Sequence, residues 1–219
     1  MPYLKLTAEQ LIETLKQFNH TELHVHHTWR PNHSNFNGKN HESVQNGMRN
    51  YHVNTNGWDD IAQHVTLFPD GSFLTGRNFG KQPVSIKGYN GSGSKIPFAC
   101  EMVGDFDIGK DKLDGKQLDS ILKLAKFFDD QKKYIRFHRE NAPKTCPGSG
   151  IDKNEFMKAV KNFKGVKVMA EKEWDSKTKF LSEWVKKEGI SDGKNPYAPV
   201  TQAYLWEVAR NVINKLEKK

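Results

Sequence analysis

The run Ile96-Pro97-Phe98-Ala99-Cys100-Glu101-Met102-Val103 is apolar at nearly every position. A strand of that kind belongs in the middle of a sheet, with neighbours on both edges and cover on its faces. The rest of the chain must therefore supply strands to stand beside it and helices to lie over it. Glu101 interrupts the run. A carboxylate so placed meets a partner, coordinates something or has its pKa raised, and catalytic carboxylates are made in that last way.

The required elements can be read in order. Thr7-Ala8-Glu9-Gln10 has the form of a capping box with Leu6 and Leu11 as a hydrophobic staple, and Leu11, Ile12 and Leu15 continue a helical stripe to about Phe18. Glu22 to Thr28 is a strand whose alternation sends His24 and His26 to one face and His27 to the other with Leu23 and Val25. The polar, turn-rich stretch from Trp29 to His41 is a long loop, and a helix follows from Glu42 to His52 with Val44, Met48 and Tyr51 or His52 on its buried side. Pro69-Asp70-Gly71 joins two short β-type runs into a hairpin. Leu118, Ile121, Leu122, Ala125 and Phe128 mark an amphipathic helix from about Lys116 to Gln131, which leads into the strand Tyr134 to Phe137. Asp152 caps a further helix reaching about Phe163, with Phe156, Ala159, Val160 and Phe163 buried.

Strands interleaved with helices predict an α/β domain over residues 1–165, a mixed central sheet flanked by helices. Over residues 166–219 the pattern changes to two helices, 176–187 and 201–215, the second with a stripe of Leu205, Val208, Ala209, Val212, Ile213 and Leu216. That segment predicts a small helical C-terminal module, marginal in size for folding alone.

A net charge of +8 favours polyanionic partners such as nucleic acid, acidic membranes or anionic wall polymers. The basic residues are scattered, with no dense Arg/Lys helix and no zinc-finger spacing, which argues against nucleic acid. No apolar run approaches the ~20 residues of a membrane span. Of the two cysteines, Cys100 lies in the apolar run and reads as a buried small hydrophobe, while Cys146 lies in a loop beside Lys144, where a thiolate forms more easily.

Phe137-His138-Arg139-Glu140-Asn141-Ala142-Pro143-Lys144-Thr145-Cys146-Pro147-Gly148 carries a histidine at a strand end and a cysteine further round a proline-punctuated loop. Imidazole and thiolate suit zinc, and a catalytic zinc takes three protein ligands and leaves a fourth position open. This pair is half of such a site, and the third ligand must come from elsewhere. His24, His26 and His27, close together at a strand end, are the candidates.

Taken together, His26-His27-Thr28, the Gly-Trp-Asp-Asp-Ile-Ala-Gln-His run at 57–64, Glu101-Met102-Val103-Gly104-Asp105-Phe106, and His138 with Lys144-Thr145-Cys146-Pro147 resemble the zinc-dependent N-acetylmuramoyl-L-alanine amidases, the family of phage amidase endolysins and peptidoglycan-recognition proteins. The likeness covers roughly residues 20–165. It implies that His26, His138 and Cys146 hold Zn2+, that Lys144 matches the lysine before the last ligand, and that Glu101 is the acid/base. Gln63 stands where one branch of the family has a tyrosine, so the acid/base role falls to Glu101.

The implied activity is hydrolysis of the amide between N-acetylmuramic acid and L-alanine, with bacterial peptidoglycan and anionic wall polymers as partners. Two alternatives stay open: a non-catalytic recognition module, and a zinc peptidase cutting the stem peptide. Gly189-Ile190-Ser191-Asp192-Gly193 is similar to repeats of surface-layer-type modules, which implies a wall-binding or homodimer-forming tail. The N-terminal residues show no signal-peptide pattern, so the expectation is synthesis in the host cytoplasm and holin-type or non-classical release to the wall.

Overall fold

The run that anchors the sequence reading is β5 (Phe98–Met102), and it lies inside a sheet with neighbours on both sides. The computed structural model describes residues 3–163 together with Lys187. The chain divides at Gly165 and Val166. The helical module expected over 166–219 lies outside the described residues apart from Lys187.

The other strands are β1 (Lys5–Leu6), β2 (Glu22–His27), β3 (Val65–Leu67), β4 (Phe73–Thr75) and β6 (Tyr134–Phe137), in the sheet order β1-β4-β3-β5-β2-β6. β3, β5, β2 and β6 pair in parallel, and β4 is antiparallel to both β3 and β1. The sheet is therefore mixed, as expected. Helices α1 (Ala8–Leu15), α2 (His41–Asn50), α3 (Gly115–Asp130) and α4 (Lys153–Asn162) flank it. Thr7 and Gln10 form the anticipated reciprocal cap on α1, and Asp152 accepts the Glu155 amide at 2.9 Å to start α4.

Strand alternation divides the sheet into two unlike faces. Leu23, Val25, Val65, Leu67, Phe98, Cys100, Met102, Ile135 and Phe137 join one core with Leu11, Leu15, Ile121, Leu124, Phe128 and Phe156 of α1, α3 and α4. Full burial of each such side chain stabilises the fold by about 1.5–3 kcal/mol. A smaller cluster, Phe68, Leu74 and Val103, packs with Val44 of α2. On the side of the parallel strands opposite the main core stand His24, His26, Ala99, Glu101, Thr66 and Arg136. The apolar run is thus covered by helices on its Cys100 side, whereas Ala99 and Glu101 line a cleft.

Helix α2 buries Met48 as expected and holds Val44 partly buried against Phe68, Leu74 and Val103, but Tyr51 is 58% exposed and His41 and Gln45 are buried beside Met48 instead. The reason is polar: His41 reaches the Asp70 carboxylate at 2.8 Å, and the Gln45 amide donates to the Thr75 carbonyl at 3.0 Å. Hydropathy spacing cannot register polar side chains that hydrogen bonds draw into the interior, even though Gln45 Oε1 has no partner among the described residues.

Asp70 is the hub of the hairpin turn. Its carboxylate accepts the Ser72 amide at 3.0 Å, the Ser72 hydroxyl at 2.6 Å, and Lys5 at 3.2 Å from the neighbouring strand. Burial works against this carboxylate, but Ser72, His41 and Lys5 outweigh it and hold its pKa down to about 2 from 3.8. A depressed folded pKa contributes stability that is present above the unfolded value and lost as pH falls through the folded one. Asp70→Ala is therefore expected to cost about 1–3 kcal/mol at neutral pH. In urea unfolding, its gap from the parent protein should close as pH falls from about 4 to about 2; a gap that stays constant would refute the assignment.

Candidate metal centre

The site is assembled by parallel register. His26 on β2 stands beside Glu101 on β5, while on the other side Val25 pairs with Phe137, the last residue of β6. His138 comes next in the chain and opens a 3-10 turn, His138–Glu140. The His26 and His138 rings lie 4.8 Å apart, centroid to centroid, at 68°.

Cys146 arrives by a loop held from several sides. The Arg139 amide donates to the Cys146 carbonyl at 2.8 Å, and its guanidinium donates to the carbonyls of Gly148 at 2.8 Å and Ile151 at 2.5 Å. The Asp107 carboxylate accepts the Ser149 amide at 2.8 Å and the Thr145 hydroxyl at 3.2 Å. The His27 amide points at the Cys146 sulfur from 3.4 Å. Gly148 has φ +124, and a Cβ there would come within 2.4 Å of the Phe106 carbonyl oxygen, so only glycine lets the loop close against that backbone.

His26, His138 and Cys146 each offer one ligand atom, all within 4.8 Å of one another. A zinc with about 2.3 Å to sulfur and about 2.0–2.1 Å to nitrogen sets tetrahedral ligands about 3.6 Å apart. Cys146 Sγ and His26 Nδ1 are 3.5 Å apart. The donor set and its spacing fit zinc.

Burial drives the His26 imidazole well below its usual pKa, with the neighbouring His138 adding to the effect, and the same cause, aided by Lys144, takes His138 down to about 4. Both rings are neutral, which is the form that binds a metal. Burial pushes the Glu101 carboxyl up to about 7, with Lys144 pulling back. The sequence-based view of Cys146 as an easily formed thiolate is corrected: the residue is only 8% exposed, and burial pushes its thiol up to about 12. Position in a loop beside a lysine does not reveal that the loop folds inward. A bound metal would supply the charge that deprotonates it.

These groups open into a cleft of about 460 Å³ whose walls include Glu101, Lys144, Gln63 and Trp58. Gln63 is buried, donates to the Thr66 hydroxyl at 2.8 Å, and leaves its own carbonyl oxygen without a partner. Sequence reasoning missed the residues behind His26. The Ser85 hydroxyl lies 2.6 Å from His26 Nε2 and 3.0 Å from His24 Nδ1, and His24 in turn meets Glu22 at 2.6 Å. Ser85 falls in a stretch with no periodicity or recognised motif, so no signal marked it.

No family model and no curated protein matches the sequence. Solved structures do resemble this one. They include the N-acetylmuramoyl-L-alanine amidase LysC from Clostridium intestinale (TM-score 0.52, 19% identical, covering 74% of this chain and 91% of that one). Bumblebee PGRP-SA, a peptidoglycan recognition protein, superposes with TM-score 0.51 at 21% identity, covering 67% of this chain and 84% of the other. A Drosophila PGRP-LB variant in complex with tracheal cytotoxin gives TM-score 0.52 at 21% identity, over 65% of this chain and 82% of that one. The chain has the amidase and peptidoglycan-recognition fold. Within this fold the cleft lies at the carboxyl ends of β2, β5 and β6, where parallel sheets commonly bind ligands.

Because Gly148 closes the loop that brings in Cys146, Gly148→Ala is expected to displace the sulfur. Zinc affinity, measured by competition with a chromogenic chelator, should fall at least tenfold, on the order of the losses seen when supports of metal ligands are removed. Far-ultraviolet circular dichroism should stay unchanged. Wild-type affinity in this variant would show that the close approach to Phe106 does not set the position of Cys146.

Proposed function

We propose that the protein is a zinc-dependent peptidoglycan hydrolase that cleaves the amide bond between N-acetylmuramic acid and L-alanine. The observation that carries this reading is the convergence of His26, His138 and Cys146, with ligand atoms within 4.8 Å of one another, in a cleft that also contains Glu101 and Lys144. The likeness in fold to the LysC amidase and to PGRP-SA supports peptidoglycan as the partner.

His26, His138 and Cys146 would hold the metal. When bound, zinc supplies a Lewis acid that makes hydroxide available near neutral pH, against ~15.7 for the pKa of bulk water. Glu101 then takes the proton of the attacking water and returns it to the leaving nitrogen of L-alanine, as the new carbon–oxygen bond forms and the carbon–nitrogen bond breaks. Burial raises the Glu101 carboxyl to about 7 in the metal-free site, and an acid/base works best when its pKa lies close to the working pH. Lys144, exposed at the cleft wall, offers its ammonium to the charge that develops on the carbonyl oxygen.

The deciding experiment measures zinc per chain together with release of new N-terminal alanine from purified peptidoglycan, with and without chelator. One zinc and chelator-sensitive release are expected. Zinc without cleavage would favour a recognition module, release of other stem-peptide ends would favour a peptidase, and a chain that takes up no zinc would overturn the site.

Two substitutions separate the roles. Glu101→Gln should keep full zinc content and lose about 100-fold or more in turnover. Cys146→Ser should lose the metal itself; full zinc in that variant, or full turnover in Glu101→Gln, contradicts the assignment.

A further inference from the structure

Behind His26 runs a line of polar groups that the proposed chemistry does not use. Arg136 donates twice to the Glu22 carboxylate, Nε to Oε1 at 2.9 Å and an Nη nitrogen to Oε2 at 2.9 Å. Glu22 Oε1 lies 2.6 Å from His24 Nε2, His24 Nδ1 lies 3.0 Å from Ser85 Oγ, and Ser85 Oγ lies 2.6 Å from His26 Nε2. The far side of the His26 ring, Nδ1, faces Cys146 Sγ at 3.5 Å. His24 is fully buried and His26 nearly so, so solvent does not compete for these bonds.

The direction of the chain follows from donor and acceptor chemistry. A carboxylate only accepts, so the hydrogen between Glu22 and His24 sits on His24 Nε2. When the His24 ring carries that one hydrogen, its Nδ1 is an acceptor, and the Ser85 hydroxyl donates its single hydrogen there. What remains to Ser85 is its lone pairs, and these accept from His26 Nε2–H. His26 is thereby fixed in the tautomer whose bare nitrogen is Nδ1, the atom turned toward the cysteine.

Ser85 itself is held in place. Asn90 Oδ1 accepts the amides of Ser85 at 2.9 Å and Ile86 at 2.8 Å, and the Val84 amide donates to the Ala62 carbonyl at 3.1 Å. Ile86 is fully buried beside it.

We infer that Ser85, backed by His24, Glu22 and Arg136, is a positioning residue that sets the tautomer and orientation of His26 for metal binding through Nδ1. The inference rests on the reading of His26 as a zinc ligand. Supports of this kind are worth about 10–100-fold in metal affinity.

The test uses the full chain and two readouts. In the metal-free protein, long-range proton–nitrogen correlation spectra should show His26 protonated on Nε2, and a mixture of tautomers in Ser85→Ala. Zinc affinity, measured by chelator competition, should fall about 10–100-fold in Ser85→Ala and recover in Ser85→Thr, which restores a hydroxyl. A merely structural role would lower the thermal midpoint of the metal-free protein and leave the His26 tautomer unmoved. Finding Nδ1–H on His26 in the parent protein, or unchanged zinc affinity in Ser85→Ala, overturns the inference. A parent protein with His26 protonated on Nε2 that binds no zinc would instead sink the proposed function and leave the hydrogen-bond chain standing.

Discussion

The parallel pairing of β5, β2 and β6 is the constraint on which the site depends. Once Val25 is opposite Phe137 and His26 is opposite Glu101, the first residue beyond β6 has to emerge beside His26. That residue is His138. Two of the candidate ligands and the carboxylate are therefore placed by backbone hydrogen bonds within the sheet. A slip of one residue in β2 would turn His26 into the main core and bring an apolar neighbour out in its place.

The two faces of the sheet do different jobs, and each makes the other workable. The face under α1, α3 and α4 is apolar and supplies the burial that holds the fold. The opposite face gathers histidines, a glutamate and an arginine that would be costly to bury without partners. They are tolerated because they answer one another: Arg136 meets Glu22, Glu22 meets His24, and Ser85 bridges two rings. The loop bearing Cys146 completes the set from outside the sheet, tied down by Arg139 and Asp107.

Much of this was legible in the sequence because it rests on period and punctuation. The apolar run around Cys100, the capping box at Thr7, the Pro69-Asp70-Gly71 turn and the helix stripe of Ile121, Leu122, Ala125 and Phe128 each appear as elements near their expected bounds. Alternation in β2 also separated His26 from His27 correctly: His26 faces Cys146, while the His27 ring accepts the Phe106 amide from the other face. What stayed hidden is polar and non-local. On α2, Met48 and Val44 follow the expected stripe, but His41 and Gln45 are held in the interior by hydrogen bonds that hydropathy does not register. Ser85 lies 59 residues from His26 in a stretch without pattern, and no local rule joins the two. Cys146 was misjudged because burial depends on how a loop folds and not on its neighbours in the chain.

The outer margins of the sheet have a consequence for behaviour in solution. Among the described residues its edge strands are β1, of 2 residues, and β6, of 4, while the longer β2 and β5 lie inside. At the start of β6, Lys153 is bonded to the hydroxyl of the half-exposed Tyr134. Short, charged margins offer little template for a foreign strand. A protein with so much parallel sheet is slow to assemble and prone to go astray while incomplete, and these blunt margins deny its finished form the edge-to-edge stacking through which sheets aggregate.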